Sequence, residues 1–168
     1  MRVIYSVIFT LLMANVTNAE AILYLGVGEA EVASASNNGE TPFSLGYMNL
    51  KDKGTFYGVD LGFEGTVLDS TYGQENAPSR AITINLIAGS NLSKTASGRL
   101  DAGILFGVRQ INKDCADSYL GYACYADTLP DVEYGLSYGG IITYSFQSFT
   151  LGVRVTGESS QILLGSKF

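Results

Sequence analysis

The sequence predicts an all-β fold, an eight-stranded antiparallel up-and-down transmembrane β-barrel. Three observations predict it. Eight segments alternate with a period of two, which places one set of side chains on each face of a strand. Opposite the apolar face stands one dominated by Gly, with Ser, Thr, Asn and isolated charges. The connections alternate between long polar stretches and tight turns.

The chain has 168 residues, enough for one domain. It opens with a single cation at Arg2, an apolar run from Val3 to Met13, and a small-residue ending at Thr17, Asn18 and Ala19. That is the layout of a secretory signal peptide cleaved after Ala19. The run is too short to span a membrane comfortably as an anchor. The expected division is a signal peptide over 1–19 and a barrel over 20–168. No later stretch approaches a transmembrane helix.

The first segment, 21 to 30, sets Leu23, Leu25 and Val27 on one face. The second, 43 to 50, does the same with Phe43, Leu45 and Tyr47. The third, 56 to 65, has Tyr57, Val59, Leu61 and Phe63 against Gly58, Asp60, Gly62 and Glu64. The fourth, 81 to 89, sets Ile82, Ile84, Leu86 and Ala88 against Thr83, Asn85 and Gly89. The fifth, 100 to 109, opposes Ala102, Ile104, Phe106 and Val108 to Asp101, Gly103, Gly107 and Arg109. The sixth, 132 to 144, opposes Tyr134, Leu136, Tyr138 and Ile142 to Glu133, Gly135, Ser137 and Gly139. The seventh, 149 to 157, opposes Phe149, Leu151, Val153 and Val155 to Thr150, Gly152, Arg154 and Thr156. The eighth, 161 to 168, ends on Phe168. Between them run connections at 31–42, 51–54, 66–80, 90–99, 110–131, 145–148 and 158–160. The first, third and fifth are long and polar, the habit of outer-membrane barrels with long loops at one end.

Alternation alone does not say which face points inward. A soluble barrel of the lipocalin type, secreted or periplasmic, turns its apolar face toward a small apolar ligand. A transmembrane barrel turns it toward lipid. Glycine facing water weakens a strand for no gain, whereas small residues beside a few long charged ones fill a narrow eight-stranded lumen. Aromatics recur at strand ends on the apolar face, at Phe43, Tyr57, Phe63, Tyr134, Tyr144, Phe149 and Phe168, as interfacial girdles require. Closure is obligatory in lipid, because unpaired backbone groups are too costly there.

On these features the chain resembles the small eight-stranded outer-membrane barrels of Gram-negative bacteria, the OmpX type and the transmembrane domain of OmpA. The resemblance covers 21 to 168 and lies in pattern. Phe168, with Leu164 and Ile162 at alternate preceding positions, matches the terminal signal read by the barrel assembly machinery of such proteins; Ser166 departs from it. The resemblance implies an outer-membrane location, export with periplasmic chaperones, contact with outer-membrane lipid and lipopolysaccharide, and a monomer.

Formal charge is −6, against a nucleic-acid partner, which needs a basic footprint. Histidine is absent, so a nucleophilic serine has no imidazole to activate it. Asp60 and Glu64 are four residues apart on one strand face, about 13 Å between Cα atoms at ~3.3 Å per residue, wide for a catalytic dyad. The sequence therefore points to no enzyme, no cofactor and no metal site. The charged candidates have a structural reading as lumen ion pairs: Asp60, Glu64, Asp101 and Glu133 against Arg109, Arg154 and Lys167. Unpaired ions in a poorly hydrated lumen are costly. Arg109 and Glu133 are expected to pair between adjacent strands. Asp60 or Glu64 is expected to reach Arg154 across the ring, closing the lumen as an ionic plug. Cys115 and Cys124 read as a local disulfide in an exported chain, with a metal or redox pair disfavoured by their spacing and the lack of histidine. The loop they bound offers Tyr119, Leu120 and Tyr122 as binding anchors. Acidic residues crowd the long-loop end, from Glu31 to Asp131, as plain solvated loops or as sites for divalent bridging to lipopolysaccharide.

Overall fold

Alternating β-branched and aromatic residues bounded by turn formers produce eight strands in the computed structural model: β1 (Glu20–Ala30), β2 (Phe43–Leu50), β3 (Thr55–Thr71), β4 (Gln74–Lys94), β5 (Arg99–Asp114), β6 (Asp131–Phe146), β7 (Phe149–Thr156) and β8 (Ser159–Lys167). The structure describes residues 20–30, 41–71, 74–114 and 131–168. The expected leader, Cys115, Cys124, Tyr119, Leu120 and Tyr122 lie outside the described residues. Each strand pairs antiparallel with its successor, and β8 returns to β1, so the sheet closes on itself.

The strand faces follow the sequence pattern. Leu86 (66%), Ile104 (66%), Leu136 (68%) and Ile162 (66%) are exposed on the outer wall, while Asp60, Asp101 and Arg154 are buried within. An apolar face this open belongs to a barrel solvated by lipid, a transmembrane barrel. The lipocalin-type arrangement requires the reverse orientation. Aromatic pairs mark both rims of the wall: Phe43 stacks on Phe63 at 4.5 Å near the long-loop end, and Phe146 meets Phe149 edge-on at 5.3 Å at the turn end.

Two expectations change. The connection expected at 66–80 continues the ladder, pairing Thr66 with Arg80 and reaching Thr71 opposite Gln74. Backbone pairing needs no apolar side chains, so polar residues continue the hairpin beyond the lipid wall. β3 to β6 consequently run 16 to 21 residues, while β1, β2, β7 and β8 run 8 to 11. Among the described residues, β3 to β6 extend further than the other strands at the long-loop end. At the opposite end the 90–99 connection shrinks to a tight turn, with the Thr95 N–H donating to Gly98 O at 2.8 Å.

The second change is inside. The expected lumen of small and charged residues is only half the interior. By strand position, the half nearer the turns is filled by Ile22, Met48, Leu50, Phe56, Ile87, Leu105, Ile141 and Leu163, all buried. Glycines make that filling possible. Met48 and Ile87 each stand opposite Gly58, Phe56 opposite Gly89, Leu105 opposite Gly139, and Leu163 opposite both Gly26 and Gly152. A large side chain on one strand thus lies over a missing one on the next. Gly46 shows how tight this is, since a Cβ there would come within 2.1 Å of the Tyr24 ring. Gly46→Val is expected to destabilise the barrel by about 1–3 kcal/mol through overpacking. The measurement is the urea midpoint of the folded band on unheated gels. In a Tyr24→Ala background the added cost of Gly46→Val should shrink, and an unchanged midpoint for the single variant would contradict the packing.

Candidate functional site in the barrel lumen

Above the apolar layer lies a cluster of buried charges. Arg154 on β7 faces inward and crosses the lumen to β3, which stands opposite in the ring. Its Nη2 donates to Asp60 Oδ1 at 2.7 Å and to Glu64 Oε1 at 2.7 Å, and its Nη1 donates to Glu64 Oε2 at 2.7 Å. Nε donates to both Asp60 oxygens at 3.1 and 3.2 Å. The Glu64 contact is the two-pronged fork that guanidinium and carboxylate geometry favours. All three side chains are fully buried.

One cation facing two anions leaves an excess negative charge. Neutral donors meet it. Tyr24 O–H donates to Asp60 Oδ2 at 2.8 Å and Asn85 Nδ2 to Asp60 Oδ1 at 3.0 Å. Thr156 Oγ1 donates to Glu64 Oε2 at 3.0 Å, Gln161 Nε2 at 3.3 Å, and Ser159 Oγ closes the set on the same oxygen. Ser44 Oγ in turn donates to Gln161 Oε1 at 2.6 Å. Every strand but β5 and β6 contributes to this network.

The local backbone aims Glu64. Glu64 and Gly65 together oppose the single residue Ala81, a bulge between the Phe63–Ile82 and Thr66–Arg80 pairs. Gly65 has φ of +73°, a backbone conformation that favours glycine, and it lies beside the Glu158 carboxylate.

The other sequence candidates fall at the two mouths. Asp101 is buried at the turn end and accepts Arg99 Nε at 2.8 and 2.9 Å and Asn91 Nδ2 at 3.2 Å. Lys167 reaches Glu20 at 3.4 Å beside a mouth cavity of about 410 Å³ lined also by Lys94, Arg99 and Ser145. At the long-loop end the expected Arg109–Glu133 pairing gives way to Arg109–Glu158 at 3.0 Å. The register explains it. Arg109 stands opposite Gly135, while Glu133 stands opposite Asn112 beyond an irregularity, exposed and displaced toward the rim. The β7–β8 turn instead carries Glu158 over the lumen. Phe168 is exposed, and its backbone exchanges hydrogen bonds with Ala21 at 2.8 and 2.9 Å. Among the described residues, no three His, Cys, Asp or Glu side chains converge as metal ligands do.

Sequence reasoning did not single out Tyr24, Asn85, Ser159, Gln161, Arg99 or Glu158. Arg99 was legible: it is two residues from Asp101, hence on the same strand face. Ser159, Gln161 and Glu158 depend on how the last hairpin folds over the lumen, which no local pattern encodes.

Burial raises the carboxyl pKa of Glu158 above its ordinary value, Arg109 opposes that shift, and Glu64 adds to it. As pH rises from the unfolded pKa through the raised folded one, the unfolded chain releases the proton first and folding loses stability. Glu158→Gln should therefore gain on the parent as pH rises from about 4 to 7, read from paired urea midpoints; a constant difference would contradict the shift.

Arg154→Ala leaves two buried carboxylates with no cation and should cost about 3–5 kcal/mol. Adding Asp60→Asn and Glu64→Gln should recover most of that in the same unfolding assay. No recovery would show that the charges are not what the arginine balances.

These features define a class: a closed eight-stranded transmembrane barrel whose lumen is filled by its own side chains. The outer membrane protein Ail of Yersinia pestis, solved in a phospholipid bilayer nanodisc, is similar in fold at 11% identity over 90% of this chain and 100% of that one, with a TM-score of 0.51. Ail, the attachment invasion locus protein, in its crystal with the heparin analogue sucrose octasulfate, matches at 14% identity over 89% and 97%, with a TM-score of 0.39. No family model matches the chain, and no curated protein matches its sequence.

Proposed function

We propose that this chain is a non-enzymatic integral outer-membrane barrel, monomeric and with a lumen closed by ion pairs, serving membrane integrity or surface interaction rather than free passage. The observation that carries the reading is Arg154 held across the lumen by Asp60 and Glu64, directly above the layer of buried apolar side chains. Between the two mouths an ion would meet first fixed, fully hydrogen-bonded charges and then hydrocarbon. An eight-stranded interior is just wide enough for side chains to fill it.

An outer-membrane location is supported by the exposed apolar wall, the paired aromatics at its rims, and the similarity in fold to an outer-membrane protein. The signal peptide over 1–19, the Cys115–Cys124 disulfide, lipopolysaccharide contact at the acidic end, and assembly through Phe168 belong to the same reading. Surface interaction gains weight from the β3–β4 ladder, which continues at the long-loop end through a stretch rich in Asp, Asn, Ser and Thr.

Conductance in planar bilayers tests the plug. The purified parent should give no steady channel. Arg154→Ala and Glu64→Ala each remove only the charged block and should give at most brief, infrequent openings, because the apolar layer beneath stays in place. A steady ion-selective conductance from the parent would overturn the plugged reading and favour restricted passage.

A further inference from the structure

The outer wall is not uniformly smooth. Three strands present outward side chains in register: Tyr47 opposite Val59, Val59 opposite Leu86, and Tyr57 opposite Ala88. Ala88 is the small member of that set, and the backbone of the inward-facing Gly58 between Tyr57 and Val59 forms the floor. The result is a groove of about 390 Å³ whose walls are almost wholly apolar, lined by Tyr47, Tyr57, Val59, Leu86 and Ala88 over Gly58. At its turn-end rim the Lys51 ammonium stands 5.1 Å from the centroid of the Tyr57 ring, a cation–π contact. Lys51 follows β2 directly and Thr55 opens β3, so this cation lies where the strands leave the apolar wall.

We infer that this groove is a binding site for one glycerophospholipid, its acyl chain along Ala88 and its phosphate at Lys51. The inference rests on the reading of the chain as a membrane barrel. Three features select this occupant. The groove walls offer almost no polar group for a headgroup or a sugar. The strands around it are paired on both edges, leaving no free ladder for an added peptide strand. The charge seen over the Tyr57 ring is positive, where the strands leave the apolar wall, and a Lys near a membrane surface attracts anionic headgroups. Asp52 and Lys53 follow Lys51 in the turn, so the turn carries a net positive charge.

The test uses the full chain in phosphatidylcholine nanodiscs containing a trace of phosphatidylglycerol with a photoactivatable diazirine in its acyl chain. Faster migration of the unheated band first establishes that the barrel has formed. Cross-links mapped by mass spectrometry should concentrate on 57–59 and 86–88 over the equally lipid-facing 104–106 and 136–138. Ala88→Phe fills the groove from the lipid side and should bring these adducts down to the level of the opposite wall. Lys51→Met should lower them about fivefold, the effect of one interfacial cation. Even labelling around the wall, or labelling unchanged by both variants, would overturn the site while leaving the membrane reading intact. A chain that does not insert at all would overturn both. Should Ala88→Phe fail to form the fast-migrating band, Lys51→Met alone decides.

Discussion

Backbone closure is the constraint from which the rest follows. In hydrocarbon, each unpaired N–H or C=O costs several kcal/mol, so a sheet survives there only with no free edge. The ladder between β1 and β8, running from Ile22–Lys167 to Ala30–Ser159, removes that edge. Closing with eight strands also sets the interior width. Two full side chains rarely fit across a given level, and this is why Met48, Phe56, Leu105 and Leu163 each lie over a glycine on a neighbouring strand. Outside, the same closure exposes every apolar residue of the alternate register to lipid, which acts as its solvent.

The buried charges follow from the same geometry. Desolvating a guanidinium and two carboxylates is expensive, and Coulomb attraction alone seldom offsets it. Here each carboxylate is met by the arginine and by further neutral donors from β1, β4, β7 or β8, and Ser44 of β2 and the carboxylates of β3 bring the network to six strands. A network so widely shared exists only when the barrel is closed in one register. A slip of one residue would turn Arg154 or Asp60 toward lipid. The cluster therefore specifies the register of the barrel, and the bulge at Glu64–Gly65 orients one of its three members.

Much of this was legible from residues alone. Period-two alternation assigned Tyr57, Val59 and Leu61 to lipid and Asp60 and Glu64 to the interior, because side chains on a strand alternate faces whatever the surroundings. Ring order alone set β3 opposite β7, so an Asp60 or Glu64 contact with Arg154 needed no coordinates to suggest it. Ile22, Met48 and Ile87 were harder to read. They share the inward face with polar residues, and an apolar side chain on a mixed face carries no label for inside or outside. The ladder past Thr66 was hidden for a related reason: polar strand and polar loop look alike when only hydropathy marks a strand.

The sequence by itself determined the strand count, the antiparallel order and which residues of a strand share a face, since these rest on local periodicity and connection length. Only the tertiary structure decided which charges meet. Arg109 takes Glu158 rather than Glu133 because a register irregularity displaces Glu133 toward the rim while the β7–β8 turn carries Glu158 over the lumen. Such partnerships depend on a fraction of a residue in register and on the reach of individual side chains, and those quantities exist only once the barrel has closed.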